Sequence, residues 1–192
     1  MDRASAVIIL NSTSTGRPEA ILEGSTISAK RTAASAALAA HTLLEGKCLG
    51  ALGIIGCGLI NYETARFIHL LCPEVNSLCV FDLDRHRAAQ FSDKCASIFE
   101  HVEVAEDLKT VTSIHLAEQL AGNRGFVRCS LGEILLGHAP ARRDAESITI
   151  FSPFGLGILD IALAKLVCEL GTEASAGTVI DSFLPSSWLA RT

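Results

Sequence analysis

The stretch from Leu52 to Asp82 does most to limit what this chain can fold into. The apolar run Leu52-Gly53-Ile54-Ile55 enters Gly56-Cys57-Gly58, a helical pattern leaves it, and a second apolar run from Ser77 ends on Asp82. That is the order of a strand, a phosphate-binding turn, a helix and a second strand. Gly56 allows the tight turn, and Gly58 lets the backbone approach a pyrophosphate. The helix dipole and the N–H groups at the helix start, those of Leu59 and Ile60, then hold the anion. Asp82 stands where a carboxylate accepts hydrogen bonds from adenosine ribose hydroxyls. It also repels an added phosphate there, so the expected ligand is NAD rather than NADP. The usual third glycine is Asn61, which leaves open whether helix and strand pack less closely or the turn differs. The plain alternative is an ordinary tight turn with a solvated Asp82.

Composition must supply a core for such a unit. The chain has 192 residues, 49% of them hydrophobic and 19% charged, enough for one sizeable domain or two small ones. Aromatics are sparse and aliphatic residues dominate, as a buried parallel sheet flanked by helices requires. With a net charge of −5 and no basic block, no nucleic-acid partner is expected. No apolar run is long enough to span a membrane. The seven cysteines, Cys48, Cys57, Cys72, Cys79, Cys95, Cys129 and Cys168, form no Cys-x-x-Cys pair, and the opening lacks the order of a secretory signal. Reduced, buried thiols in a cytoplasmic protein are expected. The six histidines show no metal-ligand spacing, so no metal is expected, and no Gly-x-Ser-x-Gly elbow or Cys/His pairing points to a covalent hydrolase.

Along the chain, Ala6 to Leu10 and Glu19 to Glu23 read as the strands of a hairpin around a polar turn. Ile27 to Leu44 is Ala-rich and helical, ending at Gly46. Leu49 to Ile55, Ser77 to Asp82 and His101 to Ala105 read as strands. Ile60 to Leu71, stopped by Pro73, and Arg85 to Ile98 read as helices between them. Short helical pieces follow at Leu116 to Leu120 and Leu131 to Leu136. Ser147 to Phe151 reads as a strand, Pro153 to Gly157 as a turn, and Ile158 to Leu170 as a helix ended by Gly171. A doubly wound nucleotide domain needs further parallel strands after the third, and no strong pattern for them stands between Thr110 and Ser147.

Several blocks together resemble the ornithine cyclodeaminase/μ-crystallin family: Glu23-Gly24-Ser25-Thr26 running into Lys30-Arg31-Thr32-Ala33-Ala34, the glycine turn, Leu131-Gly132-Glu133-Ile134-Leu135-Leu136-Gly137, and Ile150 to Asp160. The opening and the Gly-Cys-Gly-Leu-Ile turn most resemble the branch that makes diaminopropionate for siderophores and peptide natural products. The family's members are longer. The resemblance therefore implies that strands are missing at the N-terminus, and that the sequence jumps near Leu108 to Ser113. The lost middle stretch carries the later strands and, in cyclodeaminases, a catalytic Asp, a role that no residue here inherits.

The resemblance implies an α/β fold. A truncated Rossmann-like unit over residues 48–146 would stand with a dimerisation and substrate unit from residues 1–47 and 147–192. It implies a homodimer whose missing strands leave a sheet edge open, with weak folding or altered oligomerisation as the result. Arg31 would bind an amino-acid carboxylate through two parallel hydrogen bonds, against the alternative of a surface ion pair. Thr32 would donate to the cofactor phosphate. Ser152 and Gly155 would face the nicotinamide or substrate, against the alternative of a simple helix cap. Asp160 would orient neighbours or be solvated, Lys30 is read as solvated, and Glu133 and Arg142 have no derivable role. The implied activity is NAD-dependent amino-acid oxidoreduction: oxidative cleavage of N-(2-amino-2-carboxyethyl)-L-glutamate to diaminopropionate and 2-oxoglutarate. The alternatives are ornithine cyclodeamination and a non-catalytic remnant that binds NAD or only dimerises.

Overall fold

The structure, a computed structural model, describes residues 6–47, 50–106, 128–142 and 157–180. The chain divides into two compact units, one from Met1–Ser25 with Gly157–Thr192 and one from Thr26–Leu156. One unit is thus built from both chain ends. The divisions fall after Ser25 and Leu156, whereas the sequence reading drew them at residues 47 and 147.

In the first unit, β1 (Val7–Asn11) pairs antiparallel with β2 (Pro18–Glu23), Ile8 opposite Leu22 and Leu10 opposite Ala20. The turn closes because Ser12 N–H donates to Arg17 O and Gly16, at φ +70°, donates back to Ser12 O, both at 2.8 Å. Period-two alternation leaves Ile8, Leu10, Ala20 and Leu22 half-buried and turns Val7, Ile9 and Ile21 outward. Helix α5 (Gly157–Glu173) packs against both strands. Gly24 is required where β2 ends: its N–H donates to Ala6 O at 2.6 Å, and a Cβ there would stand 3.1 Å from Ile8.

In the second unit, β3 (Leu52–Ile55), β4 (Ser77–Phe81) and β5 (His101–Val104) form a parallel sheet in the order β3-β4-β5. Leu52 lies beside Leu78, and Leu78 beside Val102. Helices α2 (Leu59–Leu71) and α3 (Arg85–Cys95) connect the strands. Their apolar stripes and the alternating strand residues bury one core, in which Val75, Leu78, Val80 and Cys95 are sealed from solvent.

Helix α1 (Ser25–Leu44) precedes this sheet, and Ala29, Ala33 and Ala37 form a buried stripe at four-residue spacing. Lys30 of α1 meets Glu63 of α2, and further along His41 meets Cys72 just past the end of α2. Both contacts advance in the same sense, so the two helices run side by side in the same direction. Among the described residues no helix is long and apolar enough to cross a membrane, and no group of His, Cys, Asp and Glu is placed to hold a metal.

The α/β class with a parallel sheet is as expected, and most elements stand within three residues of their sequence-derived bounds. Gly171 does not end its helix, however, because α5 runs through it to Glu173. A glycine inside a helix costs only about 1 kcal/mol relative to alanine. The helix stops where Ser175 and Gly177 take positive φ. The readings at Leu116 to Leu120 and Ser147 to Phe151, and the turn Pro153 to Gly157 short of Gly157 itself, lie outside the described residues.

Candidate nucleotide-binding site

The chain leaves β3 through Gly56 at φ +88°, a left-handed conformation that favours glycine. Gly56 N–H donates to Phe81 O at 2.7 Å, carrying the β3–β4 ladder one bond past the strands. Gly58, extended at φ −98°, is the N-cap of α2, and a Cβ built on it would meet nothing within 4 Å. No side chain caps this helix. Two other starts differ: Asp84 caps α3 through His86 and Arg87 N–H, and a Ser130–Glu133 capping box starts α4 (Leu131–Leu135). The first N–H groups of α2, Leu59 and Ile60 among them, therefore face an open glycine bend with no side-chain acceptor. A phosphate finds donors and a favourable dipole in such a place.

Asp82 closes the arrangement from the next strand. Its Oδ2 accepts Cys57 N–H at 2.7 Å and its Oδ1 accepts Asp84 N–H at 2.9 Å. These bonds, Cys57 N–H first, hold the carboxyl below its usual range, and Arg87 acts in the same direction. The Cys57 thiol is pushed up to about 11, chiefly by burial and then by the Asp82 charge. It stays a neutral thiol that packs in the core. Two ionisable groups side by side thus have opposite tendencies, an ionised carboxylate and a protonated thiol.

Of the expected site residues, the structure brings Gly56, Gly58, Leu59, Ile60 and Asp82 together in one corner of the second unit. Arg31 and Thr32 lie on α1 in the same unit, and the Thr32 hydroxyl donates to Ser28 O at 2.8 Å, within its own helix. Ser152 and Gly155 lie outside the described residues.

Lys30 is not simply solvated. Its Nζ stands 3.3 Å from the buried Glu63, whose Oε2 also accepts Arg66 at 2.9 Å. This carboxylate joins the helix bearing Arg31 to the helix that starts at the glycine turn. Glu133 has a role too, because it completes the capping box of α4.

Sequence reasoning passed over two more contacts. Arg85 donates to Ala105 O at 2.7 Å and to Glu106 O, tying the start of α3 to the exit of β5. Asn61 Nδ2 donates to Ile55 O at 2.8 Å and to Gly56 O at 2.7 Å. The only signal for the second was that a polar residue stood where the fingerprint has glycine.

A parallel β-α-β-α-β half-sheet, a glycine turn at an uncapped helix start and a carboxylate at the end of the second strand define a Rossmann-like protein. A model of the ornithine cyclodeaminase/mu-crystallin family matches residues 1–118 and 117–175, and the chain belongs to that family.

N-((2S)-2-amino-2-carboxyethyl)-L-glutamate dehydrogenase of Staphylococcus aureus is 25% identical over 248 residues, covering 95% of this chain and 73% of that protein. The Thermococcus litoralis Delta(1)-pyrroline-2-carboxylate reductase in complex with NADH and L-proline superposes with a TM-score of 0.78 at 19% identity, over 94% of this chain and 76% of that one. An archaeal alanine dehydrogenase dimer with bound NAD gives 0.77 at 22% identity, over 93% and 75%. At those identities the two structures show a shared fold.

The comparisons also bear on the jump in the middle of the chain. The family match comes in two pieces that meet at residues 117–118, close to the expected discontinuity. The alignment with the Staphylococcus protein runs over 248 residues against 192 here, so at least 56 of them (248 less 192) have no counterpart.

Proposed function

We propose that this chain is an NAD-dependent oxidoreductase acting on an amino-acid C–N bond. The observation that carries the reading is the 2.7 Å bond from Cys57 N–H to Asp82. Through it, the carboxylate suited to the ribose and the turn suited to the diphosphate are one rigid arrangement. NAD supplies hydride acceptance when bound; the chain fixes its adenosine diphosphate half through Gly56, Gly58, the α2 start and Asp82. Arg31 pairs with the substrate carboxylate, Thr32 turns toward the cofactor phosphate, and Ser152 and Gly155, outside the described residues, are assigned to the cofactor by the family resemblance.

In the finer version, the substrate is N-(2-amino-2-carboxyethyl)-L-glutamate, whose glutamate Cα would give up a hydride to become an imine carbon, NAD supplying the acceptor. Water then hydrolyses the resulting imine to diaminopropionate and 2-oxoglutarate. The Staphylococcus relative, which spans 95% of this chain, supports that substrate. A cytoplasmic location is proposed with the family's enzymes. A homodimer fits the outward Val7, Ile9 and Ile21 and the dimeric archaeal neighbour.

A second reading, a non-catalytic remnant that keeps NAD, is favoured by the 56 or more positions without counterpart and by the three strands of the described parallel sheet. Calorimetric titration with NAD, then an NADH-formation assay with the amino-acid substrate, separates the two. Binding that weakens in Asp82→Ala, with turnover, supports the enzyme. Binding without turnover supports the remnant, and a folded protein that does not bind NAD sinks both.

A further inference from the structure

We infer that Asn61 is a positioning residue: its side-chain amide holds the two peptide planes of the phosphate turn in register with the Asp82 carboxylate. The inference rests on the reading of this turn as the NAD site. A peptide bond is planar. No peptide bond among the described residues is cis. In a trans peptide the C=O of one residue and the N–H of the next point in opposite directions. Fixing both edges of a plane therefore fixes its orientation.

The plane between Ile55 and Gly56 is held at its carbonyl by Asn61 Nδ2 at 2.8 Å, and at its N–H by Phe81 O at 2.7 Å. The plane between Gly56 and Cys57 is held at its carbonyl by the same Nδ2 at 2.7 Å, and at its N–H by Asp82 Oδ2 at 2.7 Å. One amide nitrogen thus anchors the helix side of both planes, and β4 anchors the sheet side of both. The second plane is clamped between a side chain of α2 and the carboxylate assigned to the ribose.

In the usual fingerprint the third glycine removes a side chain so that helix and strand can approach. Here the side chain stays and occupies that space as a double donor. A Cβ built on Gly56 would stand 3.6 Å from Asn61 Nδ2, which places the amide directly beneath the turn. With both carbonyls drawn toward α2, the open side of the turn is left to the N–H groups that receive the diphosphate. Aspartate has the same shape and no donor when ionised. It would set a carboxylate against two carbonyl oxygens and release the clamp.

The test is calorimetric titration of NADH into the wild type, Asn61→Ala, Asn61→Asp, Asp82→Ala and the Asn61→Ala/Asp82→Ala double variant. Amide hydrogen exchange at Cys57 and at the core residue Val80 is followed in parallel. Asn61→Ala is expected to weaken NADH about tenfold, the size of one net hydrogen bond, and to speed exchange at Cys57 while Val80 stays protected. Asn61→Asp is expected to bind more weakly still, and to recover as its carboxyl is protonated. In the double variant the Asn61→Ala loss shrinks, because both residues hold one plane.

Wild-type affinity in Asn61→Ala overturns the proposal. So does equal loss of protection at Cys57 and Val80, since that reports general unfolding. If the wild type does not bind NADH, the nucleotide reading itself fails. Exchange at Cys57 in Asn61→Ala then decides alone whether the amide holds the turn.

Discussion

Asp82 spends one oxygen on Cys57 N–H and the other on Asp84 N–H, yet an ionised carboxylate has about four acceptor positions. Capacity for two ribose hydroxyls therefore remains. Asp82→Ala removes the ribose acceptor and slackens the turn together, and NAD affinity is expected to fall about 10- to 100-fold, as for hydrogen bonds to a charged group. Titration calorimetry measures it.

Because Asp82 binds its proton less readily in the folded chain than the ordinary value of 3.8, its contribution is complete above that value. It fades as pH falls through the lowered folded value, so NAD affinity should hold from neutrality to about pH 4.

The thiols behave oppositely. Cys57 and Cys95 are both pushed from 9.0 up to about 11, chiefly by burial, so the folded chain keeps two protons that the unfolded chain releases earlier. Melting temperature should therefore decline between pH 9 and 11, and less so in a Cys95→Ser variant measured against its own neutral-pH value.

At this scale Gly56, Gly58 and Asp82 could be placed at a turn, a helix start and a strand end because that order is local in sequence. The sequence concealed Lys30 against Glu63, because nothing in a linear pattern relates residues 33 apart that only the α1–α2 packing brings together.

Elements were legible where punctuation is strong. Pro73 stops α2, while Glu45 and Gly46 turn left-handed where α1 ends. Gly171 misled because a glycine inside a helix costs only about 1 kcal/mol relative to alanine, too little to stop it.

The strand β4 sits between two neighbours, and Leu78 on it is 2% exposed. Leu78→Ala should cost about 2–5 kcal/mol in a denaturant titration. On α1, where Ala33 is fully buried, a larger side chain has no room: Ala33→Leu should cost about 1–3 kcal/mol through overpacking. Glu63→Gln should cost less, about 1 kcal/mol, since Lys30 and Arg66 are both more than 40% exposed and can return to water.

For the whole molecule, the described residues that we propose hold the cofactor all face the adenosine diphosphate half of a dinucleotide. ADP-ribose is therefore expected to bind this chain as tightly as NAD in side-by-side titrations. A much weaker ADP-ribose would locate further affinity at the nicotinamide end. The class of fold could be read in advance because the strand–turn–helix–strand order is local. The divisions between units at Ser25 and Leu156 could not, because a helix is assigned to a unit by what it packs against, and that is a non-local property.

Arg85 gives this architecture a historical side. It stands in the first turn of α3 and grips the carbonyls of Ala105 and Glu106, so the strand leaving the half-sheet is buckled to the helix that came before it. A gene that loses a run of codons beyond that buckle leaves everything upstream fastened. In this βαβαβ half the last strand is thus secured by an arginine of the half itself.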